Sequence, residues 1–310
     1  MVGDNATLVM EFTLVGLSDH PEAQTTFFWL LLIVYIVTLM GNSLIVLLIA
    51  VDHQLHTPMY FFLSNLSLLD ICYSSSSAPQ MLANCFAERP TISFNKCFSQ
   101  MCISVFLGMT ECLLLATMAY DRFVAICHPL RYPLIISWKV CIQLAATAWV
   151  SAFLLTFIPN MTLKDLFCGP SVINHFTCEV QAMLKLACSP NHVHEGIMFT
   201  SGVLTLLVPF AFILVTYIRI VLAVLCIRST EGRSKAFSTC GSHLAVVTIF
   251  YGTAMSMYLQ PPSKSSSDQD KLIAVFYGVV TPMLNPLIYS LRNKDVKEAL
   301  KRLSGRIIPP

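Results

Sequence analysis

The chain has 310 residues, 55% of them hydrophobic and 12% charged, and a formal net charge of +2. Soluble domains carry about 25% charged residues. This chain therefore has too little polar surface to face water, and its solvent must be lipid. Nothing points to nucleic acid: there is no basic stripe, Gly-rich basic tail or Cys/His finger spacing.

Residues 1–25 lack the basic start, apolar core and small-residue cleavage site of a secretory signal. They do carry a glycosylation sequon, Asn5-Ala6-Thr7. Seven apolar runs follow, at about 26–50, 58–84, 97–120, 140–160, 196–218, 236–259 and 272–291. Each reaches or nearly reaches the ~20 residues that cross a ~30 Å hydrocarbon core as a helix. Only Asp70 in the second run and Glu111 in the third interrupt them with an acidic or basic residue. The first run is expected to act as an uncleaved signal-anchor. After Arg292, charges alternate with Val296, Leu300 and Leu303, the pattern of a short amphipathic helix lying on a membrane leaflet. The layout is thus a terminal segment at 1–25, a seven-helix domain at 26–291 and an amphipathic helix and tail at 292–310. No internal repeat of the kind that builds many transporters is evident.

Loop charge sets an expected orientation. With the N-terminus outside, 13 of the 19 Lys and Arg residues fall on the cytoplasmic side and 6 outside, in accord with the positive-inside rule. The sequon at Asn5 then lies extracellularly, and the expected location is the plasma membrane with a cytoplasmic C-terminus.

Most of the twelve cysteines lie within or beside the runs, where Cys72, Cys112, Cys127, Cys141, Cys226 and Cys240 serve as small apolar filler. Cys97, Cys168, Cys178 and Cys188 cluster at the outer side, an oxidising compartment that favours disulfides, and four cysteines allow three pairings. A different reading of His175-Phe176-Thr177-Cys178-Glu179 is a soft-metal site built from His175, Cys178 and Glu179, though a disulfide at Cys178 would leave it too few ligands.

The end of the third run reads Met-Ala-Tyr-Asp-Arg-Phe-Val-Ala-Ile-Cys from Met118 to Cys127. An adjacent Asp121–Arg122 pair at a membrane helix end must face protein or water, and such residues mark functional sites by default. Other fragments stand in order along the chain. They are Gly41-Asn42, Leu55-His56-Thr57-Pro58-Met59-Tyr60, the Lys235–Leu244 stretch and Pro282–Asn293 with its Asn285-Pro286-x-x-Tyr289. Together they resemble the odorant (olfactory) receptor family of rhodopsin-like G-protein-coupled receptors over nearly the whole chain. Phe123 stands where that family usually has Tyr, Thr216 where Ser is common and Gln80 where Lys is frequent.

The resemblance implies an all-α membrane protein, a rhodopsin-like seven-transmembrane helix bundle with a short amphipathic eighth helix. It implies disulfides Cys97–Cys178 and Cys168–Cys188, no cofactor and no enzymatic activity. It also implies a switch in which Arg122 is paired with Asp121 at rest and is taken over by Tyr217 and Tyr289 when active, with Pro286 as a kink and Lys235 and His243 at the moving end of the sixth helix. The plainer reading of both tyrosines is as interfacial aromatics. Asp70 and Glu111 at membrane depth repel each other as carboxylates. Either each is neutral and hydrogen-bonded, or they share a polar pocket with Asn42 and Asn285 that holds water, a proton or Na⁺.

Seven residues inward of Cys97 stands Ser104, where amine-binding relatives carry an aspartate, so a charged amine is disfavoured. By the same resemblance the pocket wall comprises Ser104, Val105, Gly108 and Met109, with Ser201 and Thr205, and with Tyr251, Ala254, Met255 and Tyr258. This apolar set with a few hydroxyls suits small volatile organic ligands, although each residue could equally be interhelical packing. A ligand of about ten heavy atoms supplies roughly −5 to −8 kcal/mol, hence micromolar or weaker dissociation constants. The expected function is an odorant receptor that activates a stimulatory G protein and raises cAMP. The alternatives are a receptor of the same architecture for a non-odorant metabolite and, more remotely, a transporter or intramembrane enzyme using Asp70 and Glu111.

Overall fold

In a membrane every backbone N–H and C=O must find a partner inside the protein, so each apolar run becomes a helix. The computed structural model describes residues 11–15, 21–161, 171–184, 186, 192–226, 229–258 and 267–307. The sequon at Asn5 and the expected Cys168–Cys188 bridge lie outside the described residues, as do the side chains of Lys235 and Tyr258.

Among the described residues the seven long helices are α1 (Pro21–Val51), α2 (Pro58–Asn84), α3 (Phe94–Cys127), α4 (Trp138–Asn160), α5 (His192–Leu225), α6 (Thr230–Tyr258) and α7. The last is built of Ser267–Val275, a π-helical turn at Phe276–Val280 and Thr281–Arg292. An eighth helix, α8, covers Lys294–Ile307. Several helices outrun the apolar stretches that predict them. At 1.5 Å per residue the 34-residue α3 is about 51 Å long, whereas hydropathy marks only the part immersed in lipid.

Five of these helices are apolar enough along their length to cross a membrane by composition alone. The other two, α2 and α6, are less apolar because they turn polar residues inward, Ser67, Asp70, Ser74 and Ser77 from α2 and Ser242 and His243 from α6.

Helix α3 runs through the middle, packed against α2, α4, α5 and α6, while α1 lies against α2 and α7. Lipid removes the hydrophobic drive between helices, so close approach through small residues holds them together. The inner face of α4 shows this: Cys141, Ala145, Ala148, Ala152 and Thr156 are buried at helical spacing, while Ile142, Val150, Phe153 and Ile158 are exposed towards lipid. Gly41 meets the Pro286 ring, where a Cβ would stand 3.1 Å from it. Gly108 meets the Tyr277 hydroxyl, which would lie 2.8 Å from an added Cβ. Pro286 lacks an N–H and so leaves the Pro282 carbonyl without its helical donor. Asn42 Nδ2 fills that place, donating to Pro282 O at 3.0 Å. One two-residue fragment, Gly41-Asn42, thus provides both the space and the hydrogen bond that a proline in α7 requires.

At the disulfide end, a three-stranded sheet covers the bundle. Strand β1 (Glu11–Leu14) pairs antiparallel with β2 (Thr91–Ser93), Phe12 opposite Ile92, and parallel with β3 (Val172–Ile173), Leu14 opposite Ile173. Phe12 and Leu14 point into a second apolar core with Phe98, Met101, Cys178 and Met183. At the Arg122 end, α8 lies across the turn at His53–Leu55. Arg302 donates to Asp52 Oδ2 from Nε at 2.9 Å and from Nη2 at 2.8 Å, and Tyr60 of α2 donates to Asn293 and Asp295.

Candidate functional site

Three groups of residues combine burial with polarity, one at each end of the bundle and one in its middle.

At one end of α3, Asp121 is fully buried and uses both oxygens. Its Oδ2 accepts from Arg122 Nε at 3.0 Å and from Arg122 Nη2, and its Oδ1 accepts from the Tyr132 hydroxyl at 2.6 Å. Burial, and then the bond to Asp121, push the Tyr132 phenol above its usual range, so it remains a donor at physiological pH. The sequence singled out Asp121 and Arg122 but gave no sign of Tyr132. Its signal is proximity alone: it lies eleven residues on, in the short helix Tyr132–Ile135 that folds back beneath α3. Near this pair, Tyr217 of α5 bonds His243 Nδ1 of α6 at 2.6 Å, ring stacked on ring. Tyr289 of α7 is buried, and its hydroxyl has no hydrogen-bond partner. The structure therefore joins Asp121 to Arg122 and Tyr217 to His243, and bonds neither tyrosine to Arg122.

In the middle, Asn285 Nδ2 donates to both oxygens of Asp70, at 3.2 and 3.0 Å. Glu111 is buried and close enough to Asp70 to act on it electrostatically, with its Oε1 unpartnered. Asn42 spends its Nδ2 on Thr38 O and Pro282 O rather than on a carboxylate.

At the other end, Cys97 at the start of α3 is bonded to Cys178. That bond takes Cys178 out of the His175, Cys178 and Glu179 metal candidate. No group of metal-ligand residues of that kind remains among the described residues, and His175 Nδ1 is occupied by the Thr177 backbone at 3.1–3.2 Å. Gln100 ties that loop to α2, accepting from Cys178 N at 3.0 Å and donating to Ser76 O at 2.9 Å. Under the loop lies a cavity of about 330 Å³, counted with its open mouth. Ser77 and Met81 of α2, Ser104 of α3, His175 of the loop and Gly278 and Val279 of α7 line it.

Of the described residues expected to form a ligand wall, only Ser104 lines this cavity. Met109 faces α4 and accepts from Thr156 at 3.3 Å. Thr205 is buried, its hydroxyl on Ser201 O at 2.5 Å. Tyr251 and Ala254 are fully buried, with the Tyr251 hydroxyl on Cys112 O at 3.4 Å and its ring 4.9 Å from that of Phe210. Val105 and Met255 are partly buried. A second potential glycosylation sequon, Asn160-Met161-Thr162, has its acceptor buried at the end of α4, with Nδ2 donating to Thr156 O at 2.7 Å. In the folded chain that nitrogen is out of reach of a glycosyl donor.

The arrangement has counterparts among known proteins. The sequence model described as "Olfactory receptor" matches residues 31–306. Olfactory receptor 13H1 of Homo sapiens is 53% identical over 303 residues, covering 98% of both chains. Olfactory receptor 2B2 of Homo sapiens is 53% identical, covering 97% of this chain and 85% of its own. Olfactory receptor 8U3 of Mus musculus is 51% identical, covering 96% and 94%. Among solved structures, squid rhodopsin superposes with a TM-score of 0.73 over 91% of this chain and 81% of its own, at 17% identity, a likeness of fold. The chain belongs to the olfactory receptor family: it is a multi-pass membrane signalling receptor with the G-protein-coupled receptor fold, and not an enzyme.

Proposed function

We propose that the protein is an odorant receptor that binds small, largely apolar, uncharged ligands within its bundle and activates a stimulatory, olfactory-type G protein to raise cAMP. In this reading the disulfide end is extracellular with residues 1–25, and the Arg122 end and residues 292–310 are cytoplasmic. The observation that carries it is the state of Arg122. It is the one guanidinium in α3, held by a buried carboxylate that Tyr132 also secures, while the Tyr289 hydroxyl has no partner. A resting lock with an unused second holder is what a two-packing switch needs. Released from Asp121, the Arg122 fork can meet backbone carbonyls of a G-protein helix.

Ligands would bias the packing of α3, α5 and α6 through Ser104, Val105, Gly108 and Met109, through Ser201 and Thr205, and through Tyr251, Ala254, Met255 and Tyr258. The Asp70–Asn285 pair with Glu111 beside it would hold a proton, water or Na⁺ between bundle halves. The test is cAMP output in cells coexpressing the olfactory stimulatory G protein, challenged with a panel of volatile compounds. Arg122→Ala at matched surface expression runs alongside. A response that the substitution abolishes is expected; a response that survives it would overturn the switch.

A further inference from the structure

The last stretch of α7, which carries Tyr289, lies between two breaks in helical bonding. One is Pro286, which has no N–H to give to the turn before it. The other is Asn293, with φ −87° and ψ 118°, the single residue between α7 and α8. Its N–H donates to Tyr289 O at 3.1 Å, its C=O accepts from Lys297 N at 3.2 Å and its Oδ1 accepts from Asp295 N at 2.9 Å. Residues at the ends of elements are the ones that absorb backbone change when a segment swings. Residues 287–292 thus form a short lever bounded by two places where the chain can turn.

Tyr60, buried in the first turn of α2, meets the second of these places. Its hydroxyl donates to Asn293 Oδ1 at 3.1 Å and to Asp295 Oδ2 at 3.0 Å. A phenol has one hydrogen, so the two acceptors share it. The carboxylate is the stronger partner, because a bond to an ionised acceptor is roughly twice as strong as a neutral one. Asn293 holds the weaker share, and its Oδ1 keeps the Asp295 N–H if that share is lost. Letting go therefore leaves no acceptor unmet. Nor does the docking of α8 depend on this hydroxyl. Val296 and Ala299 are buried in the main apolar core with Leu55, and Arg302 holds Asp52. What the hydroxyl adds is a tie from α2 to the joint of α7 and α8.

We propose that Tyr60 is a positioning residue of the switch, a brake on α7. At rest its hydroxyl holds Asn293 and, through it, the turn that carries Tyr289. On activation the hydrogen goes wholly to Asp295, so that α7 is released while α8 stays docked. The proposal rests on the preceding reading in taking Tyr289 to move when the receptor becomes active.

The test is hydrogen–deuterium exchange of the purified full-length receptor in lipid nanodiscs. It is read beside ligand-free cAMP in cells coexpressing the stimulatory G protein, at matched surface expression. Tyr60→Phe keeps the ring and removes the hydroxyl. Amides of 287–293 should exchange about two- to ten-fold faster, the worth of one hydrogen bond, while those of 296–303 stay unchanged. Ligand-free cAMP should rise by a similar factor. Asp295→Asn removes the stronger acceptor and returns the hydrogen to Asn293, so both readouts should move the opposite way. A mere anchor for α8 would give faster exchange through 296–303 and less cAMP in both variants. That outcome, or exchange of 287–293 indifferent to both substitutions, overturns the proposal. The expected exchange pattern with no cAMP from any variant would count against the G-protein reading alone. Odorant-evoked cAMP that Arg122→Ala abolishes, with exchange of 287–293 unmoved by Tyr60→Phe, would count against the brake alone.

Discussion

The disulfide end and the interior leading to Arg122 are built on opposite terms. At the disulfide end, Gln100 uses both its amide groups, strands pair on either side of β1, and a covalent bond holds the loop to α3. Ser77 and Asn160 are exceptions there. Towards Arg122 the unpartnered buried groups gather: Glu111 Oε1, Asn285 Oδ1, Tyr289 Oη and His243 Nε2. Each such group destabilises by about 1–3 kcal/mol. A packing that leaves several of them unmet in sequence along α3, α6 and α7 is one that a second packing can rival. Rigidity is concentrated where the loop is held, and unmet polar groups where the proposed switch would move the helices.

Substitutions can break this contrast from either side. The largest effect is expected at the disulfide, which spans 81 residues of sequence. Cys97→Ser should destabilise by about 4–5 kcal/mol on the chain-entropy account and remove most receptor from the cell surface, as counted by antibody to an N-terminal tag. Near-normal surface display would show that the strands and Gln100 suffice alone. Asp121→Asn comes next. It leaves Arg122 without its countercharge, a loss of about 3–5 kcal/mol for a buried pair, and should raise ligand-free cAMP several-fold. Unchanged basal output would mean that Tyr132 and the surrounding packing hold the resting state without the charge.

Asp70→Asn keeps a hydrogen-bonding group opposite Asn285 while removing one of two neighbouring carboxyls. Folding should survive, and the maximal cAMP response and its dependence on sodium should both fall; normal signalling with retained sodium dependence would remove this pair from the switch. The smallest structural effect belongs to Tyr289→Phe. Its hydroxyl bonds nothing in this packing, so removing it lifts a penalty of about 1–3 kcal/mol and should leave the ligand-free receptor no less stable, while the ligand response should drop. A large loss of stability would show that the hydroxyl already works at rest.

Much of this was legible in the sequence because lipid imposes a single answer on apolar runs. Seven such runs became seven long helices, and Asp121–Arg122 and Cys97–Cys178 stand together as the motifs implied. What escaped was non-local. Glu11–Leu14 is too short and too ordinary to announce a strand, and its partners lie about 80 and 160 residues away. The π-helical turn in α7 has no compositional mark, since Phe-Tyr-Gly-Val-Val reads as plain helix. Asn42 was grouped with the carboxylates on polarity alone. The structure gives its amide to the carbonyl that Pro286 leaves free, a need that follows from proline geometry and could have been inferred.

Strand β1 also bears on how the molecule is made. It is synthesised before α1, yet it can pair only after β2, and then β3, have been translated and brought to the same side of the bundle. Its docking is therefore a late step that depends on nearly every earlier one, including correct placement of α1 to α4. A chain whose helices are misassembled would leave Phe12 and Leu14 exposed. Burial of that one short segment thus reports, in four residues, that assembly of this half of the receptor is complete.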